Sequence, residues 1–247
     1  MATWEFATSE PITATISIPS GSIDVTAAAT DTITVAITPA GRLTDEQRLL
    51  ESITVDFGDG NLVIDMPRRL IVGRSGSADV RVTLPTGSSC EIRTASADLS
   101  CTGELASLTA ATASGEVTAE LITELADVKT ASGDVHLARA RAAHVATASG
   151  DVRVRRVDDE VTAKTASGDV WIEAACGGLA ETLTVSGDIR VGVAPGRDVY
   201  LDLSTFSGDV SSELEPAGET AEAVMTVQCR TVSGDITVQR AAEAVVG

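Results

Sequence analysis

Residues 145–154 read VATASGDVRV. Val145, Thr147 and Ser149 fall on one face of a strand, because side chains alternate with period two. Val152 and Val154 share a face as well, but with the opposite parity, so the phase slips by one between Ser149 and Val152. A strand buried on one side can slip like this only where it bends or bulges. Gly150 supplies the backbone freedom that such a corner needs. The stretch therefore predicts a strand, a Gly-Asp corner and a second strand, with Val145, Thr147, Ser149, Val152 and Val154 all turned inward.

The same hexapeptide recurs eight times, beginning at Thr94, Thr112, Thr130, Thr147, Thr165, Thr184, Thr205 and Thr231. It runs from TASADL and TASGEV through TASGDV to TVSGDI and TFSGDV. A period near 18 with small indels marks a solenoid whose coils stack on one another. The indels fall after the second strand, where a closing loop belongs. Parallel coils stack ~4.8 Å apart, so eight make a column roughly 34 Å long. Identical residues then form rows in chain order. Stacked Thr hydroxyls, and the Ser two positions on, can hydrogen-bond along such rows. Parallel crossovers are almost always right-handed. The predicted fold is an all-β, single-stranded, right-handed parallel β-helix. A left-handed hexapeptide helix also closes in 18 residues, but six steps from Val135 reach Arg141 and from Val152 reach Asp158, so no hexad persists.

The 247 residues suffice for a sizeable core. Aromatics are only 2% and apolar residues 43%, so that core is built from Val, Ile, Leu and Ala. The formal charge of −18 argues against nucleic acid and anionic lipid as partners. No apolar run approaches the roughly 20 residues of a membrane span, and the first residues lack the basic and apolar regions of a secretory signal. The sequence reads as cytoplasmic, with no direct membrane insertion and with envelope association only through a partner. Cys90, Cys101, Cys176 and Cys229 have no CxxC spacing and occupy inward positions, which reads as small buried thiols.

Residues 1–88 lack the hexapeptide but follow its grammar. Ile16 and Ile18 precede Pro19-Ser20-Gly21, after which Ile23 and Val25 have switched parity. Ile33, Val35 and Ile37 alternate. TDEQRLLES from Thr44 predicts a short helix with a Thr44–Gln47 capping box. Ile53, Val55 and Phe57, then GDGN, then Leu62 and Ile64 predict a hairpin. Val80, Val82 and Leu84 lead through Pro85-Thr86-Gly87 into the first clear coil. The reading is irregular coils with one inserted helix over 1–88, continuous with a regular solenoid over 89–247.

The T-x-S-G-D-[VI] coils and the strand–PxG turns at Pro19 and Pro85 resemble a bacterial family of adhesin-like β-strand-repeat proteins of unknown function. The resemblance covers nearly the whole chain. It implies a single-stranded β-helix, and it implies no activity, because the family has no established catalytic residues to carry over.

Three features are candidates for function. The first is the acid after each corner glycine, chiefly Asp134, Asp151, Asp169, Asp188, Asp209 and Asp235. Carboxylates ~4.8 Å apart repel by about 1 kcal/mol in water and about 3.5 kcal/mol at an effective dielectric of 20. They must be solvated, hydrogen-bonded to corner amides, or neutralised by a cation such as calcium. The second is the outward residue between Thr and Ser, which is Ala in five coils and then Val185, Phe206 and Val232. With outward-pointing Trp171 it forms a candidate contact surface. The third is the last coil, near Ile236 and Val238, which reads as an uncapped parallel edge open to another subunit. Arg139, Arg141, Arg153, Arg155 and Arg156 read as a counterweight to Asp158, Asp159 and Glu160.

No phosphate loop, zinc spacing or nucleophile motif appears. His136 and His144 read as solvated. No cofactor is expected and no metal site is assigned. The reading is a noncatalytic scaffold or adhesin-like protein-interaction module, with a protein partner or a second copy of itself as its target. Carbohydrate binding or activity through the acids and Trp171, and calcium-stabilised structure, are the alternatives.

Overall fold

The computed structural model describes residues 1–40, 50–67, 76–214 and 224–242. The chain is all-β and solenoid-like, with eighteen strands among the described residues and a single helical stretch at 50–52. The capping box at Thr44–Gln47 lies outside the described residues. Two compact units divide the chain, Met1–Thr123 and Glu124–Gly247.

In the first unit β2 (Thr13–Ala28) is the organising strand. Ile16, Ile18, Ile23 and Val25 are all buried, although their parity switches at Gly21. Gly21 has φ +124°, and a Cβ there would meet the Ala78 carbonyl oxygen at 1.9 Å. The corner therefore needs glycine both for its dihedral and for the close approach of the neighbouring strand. The first half of β2 lies between β5 (Asn61–Asp65) and β7 (Ser89–Leu105), in parallel with both. Its second half lies between β6 (Ser77–Pro85) and β7, again in parallel. On the other side of β7 lie β8 (Leu108–Thr112) and the start of β9 (Val117–Ser132).

The remaining strands of this unit enter through antiparallel pairs. β3 (Thr32–Ala40) pairs antiparallel with β6, and β1 (Ala2–Ala7) pairs antiparallel with β3. β4 (Thr54–Gly58) and β5 form the predicted hairpin, turning through Asp59 (φ 49°) and Gly60 (φ 74°). Phe6 of β1 and Phe57 of β4 meet with ring centroids 5.5 Å apart. The antiparallel pairing of β1 and β3 is not anticipated by the coil grammar. Alternating Ile33, Val35 and Ile37 specify a half-buried strand but not its direction.

The second unit carries the regular repeat. Val135, Val152, Val170, Ile189 and Ile236 pair in succession along one parallel ladder. This ladder comprises the starts of β10 (Val135–Ser149) and β11 (Val152–Lys164), then β12 (Val170–Ala175), β14 (Ile189–Val193) and β18 (Ile236–Arg240), with β16 (Val210–Ser212) last. A second ladder runs through the later halves of β10 and β11, β13 (Leu179–Leu183), β17 (Val224–Ser233) and β15 (Asp198–Ser207).

The stacking order differs from the chain order. β17 and β18, the last described strands, sit between β13/β14 and β15/β16. The expected rows in chain order are therefore corrected to 184–231–205 and 185–232–206. The expected open edge at Ile236 and Val238 is corrected too. Both residues are fully buried, and among the described residues the outermost coil in this direction is β15/β16. Identical hexapeptides do not encode their own order, so the spacing alone could not reveal the insertion.

The core is the predicted one of small aliphatic side chains, and all four cysteines are buried and free. The threonines are buried at 94, 130, 147, 165, 184 and 231, but their hydroxyls bond to backbone groups or, at Thr130 and Thr147, to no partner, rather than to one another. Thr165, Thr184 and Thr231 donate their hydroxyls to Gly150, Gly168 and Gly187 carbonyls at 3.3–3.4 Å. Each thus seals the neighbouring coil's corner. The serines two positions on are exposed rather than inward, because the corner begins one residue earlier than parity suggests. Their backbones carry the ladder round the corner, through Ser149, Ser167, Ser186 and Ser233.

Candidate functional site

The corner fixes the position of every acid in the repeat. Gly168, Gly187, Gly208 and Gly234 hold φ between 142° and 150°. Their absent Cβ atoms leave room for the carbonyl of the adjacent corner, which would lie 2.1–2.2 Å from a methyl group. This tight stack places each carboxylate beside the next corner's amide. Asp151 N–H donates to Asp134 Oδ1 at 2.8 Å, Asp169 N–H to Asp151 Oδ1 at 2.9 Å, and Asp188 N–H to Asp169 Oδ1 at 2.8 Å. Asp235 N–H then donates to Asp188 Oδ1 at 2.9 Å and Asp209 N–H to Asp235 Oδ1 at 2.8 Å. In the first unit Glu116 N–H donates to Asp98 Oδ1 at 3.1 Å.

These charge-assisted bonds give each acid a local role and offset the repulsion along the row. The row runs one way. Asp134, Asp151, Asp169, Asp188 and Asp235 each accept from the next coil outward, and Asp209 stands at the end. Among the described residues no group of three or more His, Cys, Asp or Glu side chains is arranged to hold a metal ion.

Trp171 lies on the outer face of β12, 40% exposed. Its ladder partners are Arg153 on one side and Arg190 on the other, and both guanidinium carbons sit 5.9 Å from the ring centroid. Such contacts contribute about 0.5–1 kcal/mol each at exposed sites. Around this stack a shallow cavity of about 120 Å³ is lined by Asp151, Asp169, Asp188, Val170 and the three stacked side chains. The two arginines flank the indole on either side along the ladder.

Three arginines of the basic cluster pair as the sequence suggests, whereas Arg153 lies over Trp171 instead. Arg139 and Arg156 reach Asp158 at 2.9 and 2.7 Å, and Arg141 reaches Asp159 at 3.0 Å. Burial alone would raise the Asp158 carboxyl, but hydrogen bonds from Arg156 and Arg139 outweigh it and hold the group below the usual carboxylate range. Burial pushes the Cys90 thiol up to about 12 and the Cys229 thiol to about 11. Cys101 and Cys176 are raised by the same cause. None is a ready nucleophile at neutral pH.

The outer row is where the structure brings predicted residues together. Val185, Val232 and Phe206 occupy successive rungs, because Ser186 bridges Ser233 and Ser233 pairs with Ser207. They are 52, 50 and 90% exposed. Trp171 lies on the other ladder and does not join them. Sequence reasoning missed Leu183 and Tyr200, which are exposed on the same outward face. The signal was available, since Leu183 is two residues from Val185 and Tyr200 six from Phe206, the same parity in each case. At the start of β15, Asp198 Oδ1 is buried without a hydrogen-bond partner.

The family model described as Toastrack DUF4097 matches residues 12–239. The chain belongs to this family. This Toastrack chain is similar in fold to a putative adhesin of Bacteroides fragilis, at 14% identity and TM-score 0.56, with 96% of each chain covered. It is also similar to a putative lipid binding protein of Parabacteroides distasonis, at 13% identity and TM-score 0.52, with 96% of each chain covered. At those identities the likeness is one of fold. No curated protein matches the sequence. Among the described residues of this Toastrack chain, no helix is long and apolar enough to cross a membrane.

Proposed function

We propose that the chain is a noncatalytic, adhesin-like protein-interaction module. Its regular part reads as a right-handed parallel β-helix of about 18 residues per coil over 89–247, continuous with irregular coils over 1–88. The observation that carries the reading is the row Val185–Val232–Phe206, an apolar ridge on an otherwise acidic chain. Exposed apolar residues gathered into one patch, and rimmed by polar groups, are characteristic of contact surfaces. Arg230 and Asp202, paired at 3.0 Å, supply part of such a rim.

The recurring polar residues support the same reading. The aspartates hold neighbouring corners, and several of the threonines seal corner carbonyls. Both therefore have structural work that accounts for their repetition. The adhesin name of a structural neighbour agrees with a surface-contact role.

The test is affinity capture after chemical cross-linking, with the captured proteins identified by mass spectrometry. The wild type is compared with a Val185→Ser/Val232→Ser/Phe206→Ser variant, whose changes are all on exposed positions. A partner whose recovery falls tenfold or more in the variant is the expected result. Identical sets of captured proteins would refute the reading.

A further inference from the structure

Among the described residues β15 has one hydrogen-bonded neighbour, β17, and no strand of those residues pairs with its other edge. The direction of its backbone groups follows from the bonds already made. Thr226 N–H donates to Gly178 O, and Arg230 O accepts from Thr184 N–H, so even-numbered residues of β17 face β13. In a parallel ladder alternate residues turn both backbone groups to one side, and paired residues turn opposite ways. The odd-numbered residues of β17 therefore face β15. Their partners Val199, Leu201 and Leu203 turn their N–H and C=O groups toward the open edge.

Protected edge strands are short, bulged, or armed with Lys or Pro. β15 is ten residues long, and 198–213 contains no Lys, Arg or Pro. The segment instead carries Asp198, Asp202, Asp209 and Glu213. Asp209 ends the carboxylate row and Asp198 has an unfilled acceptor atom.

We propose that the open edge of β15 takes up an extended segment of a partner protein as an added strand, one in which apolar and basic residues alternate. The proposal rests on the interaction reading above and names the class of partner. The alternation is dictated by the two faces of β15. Inward-facing Leu201 and Leu203 are only half-buried, so a strand laid beside them must place apolar side chains there. On the outward face Tyr200 and Phe206 call for long stems over exposed aromatic rings, and Asp209 and Glu213 of the same segment call for cations, Asp202 being paired already with Arg230. Charge also selects the occupant. A second copy of a chain carrying −18 brings the same acids to the contact, whereas a Lys- or Arg-bearing segment is attracted to it. Main-chain bonding supplies the affinity and the alternating pockets the specificity.

The test uses the full chain and a fluorescein-labelled peptide of about ten residues, in which Val and Lys alternate, followed by fluorescence anisotropy at physiological ionic strength. Two further peptides are N-methylated, one on every Val and the other on every Lys. One of the two is expected to bind at least tenfold more weakly than the parent peptide, and which one it is reports the strand direction. An Asp209→Lys/Glu213→Lys variant of the protein is expected to lose tenfold or more. An Asp56→Lys/Asp65→Lys variant, which makes the same change of charge at exposed positions of the first unit, is expected to bind as the wild type does.

Equal binding of all three peptides overturns the proposal, because the attraction would then be charge alone. So does unchanged affinity in the Asp209/Glu213 variant. A dimer in sedimentation velocity that the peptide fails to dissociate also overturns it, and identifies a second copy as the occupant. Strand addition without loss of captured partners in the outer-row variant would sink the ridge reading alone. The reverse pattern would sink the edge alone.

Discussion

Replacing Gly168 by Ala tests the tightness of the corner stack. The new Cβ would lie 2.2 Å from the Gly150 carbonyl oxygen, whereas real Cβ contacts stay beyond 3.0 Å. Relief requires a shift of 3.0 − 2.2 = 0.8 Å between the two corners. The bonds Gly150 N–H to Ser167 O and Ser167 N–H to Ala148 O are each 3.0 Å long. Stretched by that much they pass beyond useful hydrogen-bonding distance. Two lost bonds cost about 1 kcal/mol each. Holding Ala at a φ of 146° costs roughly 1–3 kcal/mol more. The expected destabilisation is therefore about 3–5 kcal/mol.

Gly196→Ala is the control within the same unit. Its φ is +77°, but nothing lies within 4 Å of the added methyl, so only the dihedral cost of roughly 1–3 kcal/mol applies. Urea unfolding followed by circular dichroism measures both, and unchanged m-values validate the comparison. Equal destabilisation in the two variants would refute the argument that the coils are set by corner-to-corner contact.

Other outcomes follow from the same structure. Asp169→Ala removes the acceptor of the Asp188 N–H bond and should cost about 1–2 kcal/mol at this exposed corner. Asp169→Asn keeps an acceptor oxygen and removes a like charge, so its urea midpoint should stay close to that of the wild type. The buried thiols should resist Ellman's reagent in the native protein and react fully in urea. Their raised values carry a definite sign. The neutral thiol is favoured by folding, so stability is intact below pH 9 and falls as pH climbs through about 11 and 12, measurable as a declining thermal midpoint. The Asp158 carboxyl is lowered, so its contribution is present above the ordinary carboxylate range and disappears as pH falls. Carbon-detected NMR titration should place Asp158 below the ordinary carboxylate range in the wild type, and closer to that range in Arg139→Ala.

The parity slip at Gly150 made the corner, the two strands and the parallel ladders legible before any coordinates. The β4–β5 hairpin was legible for a similar reason, since Asp59-Gly60 suits a tight turn with positive φ at both positions. What stayed hidden was pairing order. Thr184 and Thr231 both open TVSGDI, so nothing in either hexapeptide says that their coils are neighbours. The consequences reached the candidate site. Phe206 moved from the middle of its row to the end, where it is 90% exposed, and Ile236 moved from a supposed edge into the core. The acids were legible as a row, and bonding to corner amides as one of three ways to accommodate it, but the choice among the three was not, because it depends on how closely glycine lets adjacent corners approach. The direction of β3 was equally silent, since alternation is the same whichever way a strand runs.

The placement of β17 and β18 bears on how the chain reaches its final form. On the ribosome, residues 198–212 emerge before 224–240. At that moment the flank of β13 and β14 is vacant, and the incoming segment carries nearly the same grammar as the strands that belong there. Ile189 must wait for Ile236, 47 residues later, and pairings so distant in sequence form slowly. A nascent chain can therefore settle 198–212 one berth too early and must release it before the C-terminal strands slide in. Refolding from urea should accordingly show a slow phase that vanishes when the chain is cut short after Leu214.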